Sequence, residues 1–565
     1  MTRTSPLRPL LRCLCALAAA ASLAPAVAAP PEFAPVGPGL GGLNYFMSYS
    51  PFNDLVKTAR WLNVAAWDED GYPTAAASGK TVQARIAVDA GETFPPGEYV
   101  LTWRGEGEAR LDRPHAAELV SDETTDGVHR RVYRVPRVES YGFEIDVDSF
   151  PVSDLHLWLP GTEELDGRWN PDYLAVIEPF RGSHFRFMDL GLTNNSEQQD
   201  WADRTPADWP TYAQTLSRSD APTPVKGGAA WEAMVELCNE MDSDLWLCVP
   251  HLATEAYIQN LAALVRTGVD PATGEQTGEP LDEDLRVWVE YSNEVWNWQF
   301  QQTKWVDQNV PGERVEDKYM SKALNAFRIF EREFGGADRL VRVVGTHTNH
   351  GEGWKTMKRF EAAEPGRDFD VLAITTYFSH DMEEWAMERW PVTPEAFMDE
   401  LEERLGGGPF RKDESLADNS APAYQYELAA EAGVPVVSYE GNSHLIASKR
   451  VLPPDPEMDR KGNPKKVPIY DLKPEFVDFL SSVERTPRFA GLYEKWLERH
   501  EASGLASNTP FVLVHNWNRN GQWGHMEHLD QPLDEAVKYR MLIEHYGLDE
   551  PEREPASPAG VPEPR

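Results

Sequence analysis

The sequence predicts an α/β fold built on a TIM (β/α)8 barrel, with a small accessory β-sandwich near the amino terminus. First, beyond about residue 160, short apolar runs typical of buried parallel strands alternate with amphipathic helical patterns. Second, there are seven such runs, and residues 42–48 supply an eighth candidate. Third, the runs end in polar, titratable or aromatic residues, the types that barrel enzymes place at the carboxyl ends of their strands.

The predicted organisation begins with a barrel strand at 42–48 and a helix starting near Pro51, followed by an inserted sandwich. The predicted segments are a signal peptide (1–29), the start of the barrel with its first strand and helix (30–67), the accessory sandwich (68–160), the remainder of the barrel (161–550) and a disordered tail (551–565).

The first residues have the pattern of a secretory signal. Arg3, Arg8 and Arg12 precede an apolar stretch at 14–23, and small residues at 26–28 resemble a cleavage site. The apolar stretch is too short for a membrane span, and no later stretch qualifies as one. We therefore expect a secreted or periplasmic protein.

Composition narrows the classes of function. A formal net charge of −38 at pH 7 excludes a phosphate-binding role of the nucleic-acid type, which needs clustered Lys and Arg. No Gly-rich phosphate loop or Ser-His-Asp order is present, so we expect no cofactor. Cys238 and Cys248 remain in the mature chain, either paired or as two buried free thiols. Nothing in the sequence indicates an oligomeric state.

The sandwich is predicted from short alternating runs separated by turn residues. Such a module in a secreted enzyme can bind carbohydrate, or it can only brace the neighbouring domain. The runs are 82–88, 97–103, 129–135, 142–147 and 155–159.

The barrel strands are predicted from runs rich in β-branched and aromatic residues, with helical patterns between them at 229–241, 254–265, 318–334 and 474–483. The predicted strands after the sandwich are 184–190, 244–250, the run within 285–297, 341–347, 370–377, 434–440 and 511–517.

Two carboxylates stand among the residues that end these runs. Glu294 and Glu440 each occur where a strand meets a loop, which is where a barrel places catalytic groups. Two alternatives remain: Asn293 and Glu294 begin the next helix as a cap, and Glu440 is a solvated loop residue. The full set of strand-end residues is Asp189, His251, Asn293, Glu294, His347, Tyr377, Glu440 and Trp517.

This pattern resembles clan A of the glycoside hydrolases, the retaining (β/α)8-barrel glycosidases. The resemblance is carried by Asn293-Glu294 after the fourth strand, Glu440 after the seventh, an aromatic residue after the sixth and Trp517 after the eighth. Glu290 also fits the Glu-x-x-Asn-Glu form of several families in that clan. Stretches at 186–195 and 523–539 look like those of uncharacterised secreted bacterial members.

The resemblance implies roles for the strand-end residues. Glu294 would be the general acid/base and Glu440 the nucleophile, with carboxyl groups about 5 Å apart for retention against roughly 6.5–9.5 Å for inversion. Glu294 would need a raised pKa.

The same resemblance implies substrate contacts. Asn293 would bind the sugar 2-hydroxyl, Tyr377 would orient Glu440, and Trp517 would form the floor of the sugar site. Arg186 would hold Glu440 ionised, and the remaining strand-end residues are candidates for substrate contacts: Asp189, His251 and His347.

Other features have two interpretations. His347 and His350 could hold a metal or simply line a polar cleft. Glu290 is expected to be structural, and lysines at 461–466 form either a solvated loop or a contact with an anionic polysaccharide. One or two of five tryptophans are expected to stack on sugars: Trp296, Trp298, Trp354, Trp385 and Trp390.

Three functions therefore compete: a secreted retaining glycosidase acting on a poly- or oligosaccharide, a catalytically silent carbohydrate-binding barrel, and a metal-dependent barrel hydrolase. The first agrees best with the two strand-end carboxylates. The sequence does not indicate the sugar, the linkage, or whether attack is internal or terminal.

Overall fold

The computed structural model describes residues 32–213, 226–349, 363 and 366–551. The predicted signal peptide, the predicted tail beyond residue 551, His350 and Trp354 lie outside these residues.

Ten short strands near the amino terminus form the accessory sandwich. Two four-stranded antiparallel sheets, ordered β1-β4-β9-β6 and β10-β5-β8-β7, enclose a core of alternating inward residues, and β2 pairs with β3 in a hairpin. The strands are β1 Arg60–Leu62, β2 Val64–Trp67, β3 Pro73–Ala76, β4 Val82–Ile86, β5 Gly97–Arg104, β6 Ala109–Arg113, β7 Glu118–Thr125, β8 Val128–Val135, β9 Phe143–Val147 and β10 Ser153–Trp158.

The second part is a curled sheet of seven parallel strands, consistent with a TIM-like fold. Five of its strands, β12 to β16, are apolar or aromatic along most of their length, with nearly every residue buried, as expected where helices cover the outer face. In spatial order they are β11 His184–Arg186, β12 Asp244–Val249, β13 Val287–Tyr291, β14 Leu340–Gly345, β15 Val371–Thr375, β16 Val436–Glu440 and β19 Leu505–Ser507; a hairpin of β17 Arg450–Val451 and β18 Val467–Pro468 follows β16.

Twelve α-helices of the described chain alternate with or follow these strands. They are α1 Pro171–Ile177, α2 Trp231–Glu240, α3 Glu255–Thr267, α4 Gln301–Asn309, α5 Val315–Phe334, α6 Met382–Arg389, α7 Pro394–Leu405, α8 Ala417–Ala432, α9 Ile469–Leu472, α10 Phe476–Glu484, α11 Pro487–Ala502 and α12 Val537–Tyr546.

The predicted first barrel strand at 42–48 is absent. Its residues form turns, because the Asn44 side chain accepts a hydrogen bond from the Phe46 backbone and competes with strand pairing. The extended segment just before it, residues 35–40, lies between the two edge strands instead. Gly37 donates to the Asn508 carbonyl, and Leu40 donates to the Arg186 carbonyl. The seven-stranded ladder is therefore not closed by a regular eighth strand within the described chain.

The helix predicted to start near Pro51 is also absent. Asp54 caps only a short 3-10 turn, Leu55–Thr58, and the chain then enters β1, whose residues pair with β4. The sandwich thus starts at Arg60, within the segment predicted to open the barrel.

The last predicted strand, at 511–517, is replaced by β19, which precedes it and pairs with β16. Pro510 has no backbone N–H to donate, so only an isolated bridge to Gly441 continues beside β16, with Phe511 donating to the Gly441 carbonyl. Residues 512–515 instead exchange backbone hydrogen bonds with residues 523–526. Trp517 consequently does not end a barrel strand.

A charged cluster joins β10 to the 3-10 turn that precedes β1. His156 on β10 contacts Asp54 at 2.8 Å and Asp154 at 3.0 Å. Burial alone would lower the pKa of His156, but the two carboxylates outweigh it and raise this pKa to about 9. His156 is therefore an imidazolium at neutral pH and ties β10 to the capping residue of that turn.

A second buried ion pair lies behind the loop that follows β16. Lys538 on α12 donates to Glu484 on α10 at 2.8 Å, and neither side chain is exposed. Lys538 also donates to the side chain of Asn442. Burial raises the pKa of Glu484 and lowers that of Lys538, and the charge of each residue opposes this change in the other.

Both cysteines are free and buried, Cys238 on α2 and Cys248 on β12, so the disulfide alternative is not realised. In the part of the chain that the structure describes, no helix is long and apolar enough to span a membrane.

Candidate active site

Arg186, the last residue of β11, joins the two sides of the curled sheet. Its guanidinium donates to Glu440 at 2.9 Å on β16 and to Glu290 at 3.0 and 3.1 Å on β13. It also donates to the Asn293 side chain at 2.8 Å. Arg186 is 2% exposed, so these charge-assisted bonds form away from water.

Glu440 is fixed from two directions. Arg186 holds one carboxylate oxygen, and the Tyr377 hydroxyl donates to the other at 3.0 Å. Burial raises the pKa of Glu440 above its ordinary value, and the guanidinium and the hydroxyl offset part of that rise. Both partners favour the carboxylate form, so the negative charge of the site is best accommodated on Glu440.

The residue after Glu440 has to be small. A Cβ at Gly441 would collide with the Thr376 hydroxyl, and the Thr376 backbone donates to the Glu440 carbonyl. Glycine therefore lets the chain turn away immediately after Glu440 while β15 and β16 stay paired.

Glu294 has a different environment. Its side chain accepts from the Asn297 amide at 2.9 Å and from the Tyr439 hydroxyl at 3.3 Å, both neutral donors. Burial, and then the charge of Glu440, raise the pKa of Glu294 to about 8. Glu294 therefore carries a proton at neutral pH.

The backbone around Glu294 adopts left-handed conformations. Ser292 has φ of 61° and Glu294 has φ of 45°, values that non-glycine residues rarely adopt. Asn297 donates its backbone N–H to the Glu294 carbonyl at 2.8 Å and stabilises the turn. Glu294 lies in this turn rather than in a helix, so the helix-cap alternative is wrong.

Asn293 is 1% exposed, and both ends of its amide have partners. Its oxygen accepts from Arg186, and its nitrogen donates to Asn194 at 3.1 Å. Gln302 donates to Asn194 and to the Asn293 carbonyl. This network holds the loop between β13 and α4 in place.

Glu290 is buried beneath the two carboxylates. Besides the paired bonds from Arg186, it accepts from the Trp246 indole at 2.9 Å and from the Cys248 thiol. It balances the charge of Arg186, which leaves one net negative charge shared by Arg186, Glu290 and Glu440.

A cavity of about 400 Å³ opens beside Glu294. Glu294, Tyr377 and His347 line it, and Trp296 packs edge-on against His347 with ring centroids 4.2 Å apart. Asn349 donates its backbone N–H to the His347 ring. His347 is thus a wall residue of the cavity.

Asp189 lies close enough to the pair for its carboxyl group to be affected by the charge of Glu440. It is partly exposed, yet desolvation, followed by the charge of Glu440, raises its pKa to about 7. Asp189 also raises the pKa of Tyr49, whose hydroxyl is buried.

Of the nine predicted site residues, Glu294, His347 and Tyr377 line the cavity and the other six do not, His251 and Trp517 among them. His251 is 2% exposed and packs against Trp305 of α4, and its burial lowers its pKa to about 4. The Trp517 ring faces Lys538 at 4.7 Å and Arg485 at 5.2 Å, and its indole donates to the Gly524 carbonyl.

The aromatic residue beside Tyr377 is instead Trp523, whose ring centroid is 5.7 Å away. His444 packs against both rings and lines the cavity. Sequence reasoning did not assign a role to Trp523, Tyr439, Asn194 or Gln302. Simple alternation within β16 would place Tyr439 and Glu440 on opposite faces, so no signal for Tyr439 was present in the sequence; the register is irregular where Glu440 pairs with Thr375.

Of the other tryptophans, Trp296 lines the cavity and Trp298 is 55% exposed, whereas Trp385 and Trp390 pack against phenylalanines. The lysines at 461–466 belong to the exposed β17–β18 hairpin. Among the residues that the structure describes, no group of three or more His, Cys, Asp or Glu is arranged to hold a metal.

No protein-family model and no curated protein sequence matches the chain. Similar solved structures include an alpha-L-arabinofuranosidase from Thermotoga maritima in complex with arabinose (13% identity, TM-score 0.38, 67% of this chain and 65% of that one). They also include an engineered protein (11% identity, TM-score 0.30, 56% of this chain and 57% of that one). A third is the N-terminal endo-1,4-beta-D-xylanase 10B of Clostridium thermocellum in complex with xylohexaose (10% identity, TM-score 0.25, 74% of this chain and 94% of that one). The chain thus spans slightly less than two thirds of the arabinofuranosidase, and two of these three proteins are glycoside hydrolases.

Proposed function

We propose that the chain is an exported glycoside hydrolase that cleaves a poly- or oligosaccharide by double displacement, with Glu294 as general acid/base and Glu440 as nucleophile. The observation that carries this proposal is the unlike surroundings of two carboxyl groups: Glu294 lines the cavity, and Glu440 is hydrogen-bonded to Tyr377, which also lines it. Glu440 accepts from a guanidinium and a hydroxyl, while Glu294 is held by neutral donors and has a pKa of about 8. Unequal carboxyl groups of this kind divide acid and nucleophile roles.

In the first step the Glu440 carboxylate attacks the anomeric carbon while Glu294 gives its proton to the leaving oxygen. The glycosidic C–O bond breaks as the glycosyl–enzyme ester forms. In the second step Glu294, now ionised, takes a proton from water, whose oxygen attacks the same carbon and releases Glu440 as a carboxylate. Protons and charges balance over the cycle.

The same geometry explains how Glu294 changes role between the steps. The charge of Glu440 is one cause of the raised pKa of Glu294. Esterification removes that charge, so the pKa of Glu294 falls and the residue becomes a base at neutral pH. Arg186 and Tyr377 then stabilise Glu440 again when it leaves as a carboxylate.

In this proposal the substrate is a carbohydrate seated against Trp296, His347 and Tyr377, which line the cavity. Asn293 could contact a sugar through the second hydrogen of its amide, since its oxygen is bound by Arg186. Export by an amino-terminal signal also remains a proposal.

The test is hydrolysis of 4-nitrophenyl glycosides and of plant and algal polysaccharides, with the product anomer followed by proton NMR. Glu294→Gln and Glu440→Gln should each lower kcat by about 10²- to 10⁴-fold or more on the substrate that is cleaved. Glu388→Gln, whose side chain is 73% exposed, is the control and should stay active.

Rescue by added azide distinguishes the nucleophile from the general acid/base. In Glu440→Ala, azide should restore turnover and give a glycosyl azide of inverted configuration. In Glu294→Ala, with an activated aryl glycoside as substrate, azide should give a glycosyl azide of retained configuration. Near-normal activity of either Gln variant would refute the assignment, and an inverted hydrolysis product would refute double displacement. Sugar binding without turnover would favour a carbohydrate-binding protein, and loss of activity on chelation would favour a metal-dependent hydrolase.

A further inference from the structure

Part of the cavity, here called the deep arm, is lined by residues of α8, α11 and the segment after β15. The arm is defined by Ser379, Asp418, Ala421, Pro422, Trp496 and His500, all of which line the same cavity as Glu294. None of these six residues takes part in the proposed proton transfers. The whole cavity, at about 400 Å³, lies within the size range of small-molecule sites.

His500 is the most informative residue of the deep arm. It is fully buried, and its Nδ1 is hydrogen-bonded to the Tyr426 hydroxyl at 2.8 Å. Its Nε2 has no hydrogen-bond partner in the described part of the chain. A buried ring nitrogen without a partner is costly unless a ligand or water satisfies it, and His500 borders the cavity.

Helix α8 presents further polar groups to the same region. Pro422, inside the helix, lacks the N–H that would bond the Asp418 carbonyl, so that acceptor loses its helical donor. The Asp418 side chain is 42% exposed and accepts from the His380 backbone. One turn after Ala421, the buried Gln425 has a side-chain oxygen with no partner among the described residues.

The floor of the deep arm is aromatic. Trp496 is 1% exposed, and its indole N–H is already bound to the Thr376 carbonyl, so the ring offers only its apolar surface. Ala421 and Pro422 add apolar surface opposite. A lining that combines apolar side chains with hydrogen-bonding groups suits a sugar ring, which has apolar C–H faces and a rim of hydroxyls.

The charges favour a neutral ring over an acidic one. Of the described residues that line the cavity, the acidic ones are Glu294 and Asp418, and none is Lys or Arg. Burial lowers the pKa of His500 to about 3, so its imidazole is neutral at ordinary pH and adds no positive charge. A uronate or sulfate group would find no cationic partner among these residues and would be repelled by the Asp418 carboxylate.

We propose that the deep arm is a subsite for a neutral sugar ring, with His500 Nε2 hydrogen-bonded to one of its hydroxyls. The proposal rests on the glycosidase function and specifies the ring that the same cavity accepts. It extends the substrate contact surface from the carboxyl pair to α8 and α11. Glucuronic acid and other anionic sugars are then poor ligands of this part of the cavity.

The test uses monosaccharides, which bind without being hydrolysed: D-glucose, D-galactose, D-mannose, D-xylose and L-arabinose, with D-glucuronate as the anionic comparison. Binding to the full-length protein is measured by saturation-transfer NMR and by crystal soaks. We expect at least one neutral sugar to lie within hydrogen-bonding distance of His500 Nε2, and D-glucuronate not to bind.

Two substitutions of His500 are matched controls. His500→Asn places an amide where Nδ1 stands and removes the group at Nε2, whereas His500→Gln reaches the Nε2 position. We expect His500→Asn to raise Kd by about two- to tenfold and His500→Gln to raise it less. Should either variant fold poorly, Ala421→Leu fills the deep arm without touching His500 and should abolish binding there.

The proposal is overturned if none of the neutral sugars binds, if His500→Asn and Ala421→Leu both bind like the wild type, or if soaked crystals show only water at Nε2. These results do not depend on turnover. Failure of the carboxylate variants to lose activity would instead overturn the proposed function, and the two failures are distinguishable.

Discussion

Replacing Tyr377 by Phe should change the pH dependence of hydrolysis in one direction only. The hydroxyl donates to Glu440 at 3.0 Å and stabilises its ionised form. A hydrogen bond to a charged group contributes about 1.5–3 kcal/mol, and a change of one in pKa corresponds to about 1.4 kcal/mol. Loss of the hydroxyl should therefore raise the pKa of Glu440 by about 1–2.

The expected readout is the acidic limb of the kcat/KM profile, which reports the nucleophile in the free enzyme. Because Glu440 must be ionised to attack, a higher pKa moves this limb to higher pH. At pH values below the new limb, kcat/KM should be lower than in the wild type, by roughly tenfold if the pKa of Glu440 rises by about one. The measurement is a series of kcat/KM values from about pH 3 to pH 10 on one aryl glycoside.

Tyr439→Phe is the matched control, because it removes a hydroxyl that donates to Glu294 at 3.3 Å. That bond lowers the pKa of Glu294, so its loss should move the alkaline limb, set by a pKa of about 8, to higher pH. The acidic limb should not move. The reasoning fails if the acidic limb stays in place in Tyr377→Phe, or if both variants move the same limb.

Two further predictions concern stability. Lys538→Met leaves the buried carboxylate of Glu484 without its cationic partner and should lower the free energy of unfolding in urea by about 3–5 kcal/mol. Adding Glu484→Gln to this variant should recover part of the loss. Equal stability of wild type and Lys538→Met would contradict the prediction. His156→Asn should lower the free energy of unfolding most below pH 6.5. The difference from wild type should shrink as pH rises through about 9, because only the imidazolium form of His156 stabilises the fold through its raised pKa. A difference in unfolding free energy that does not change with pH would contradict this.

The sequence predicted the parts of the fold that depend on local composition. The run Val287–Tyr291 is apolar apart from Glu290, so its identification as a buried parallel strand needed no tertiary information, and the structure confirms it. The position of Glu440 at the end of β16 followed in the same way. A TIM-like sheet of seven parallel strands is confirmed, but a closed eight-stranded ladder is not.

The predictions that failed depended on contacts distant in sequence. The strand Leu505–Ser507 has only three residues and no β-branched side chain, so its pairing with β16 leaves little trace in the sequence. Trp517 was assigned from an apolar run whose backbone pairs with residues 523–526 instead. The position of Trp523 beside Tyr377 likewise depends on how this loop folds back.

The segment at 35–40 also constrains when the sheet can be completed. The Ser507 hydroxyl donates to the Ala34 carbonyl, 473 positions earlier, and Gly37 donates to the Asn508 carbonyl. During synthesis these contacts cannot form until the last strand has left the ribosome, whereas the sandwich can fold from local hairpins much earlier. Residues 38–40 can already cover the β11 edge, but until then the β16 edge of the parallel sheet is unpaired, which leaves the nearly finished chain exposed to aggregation.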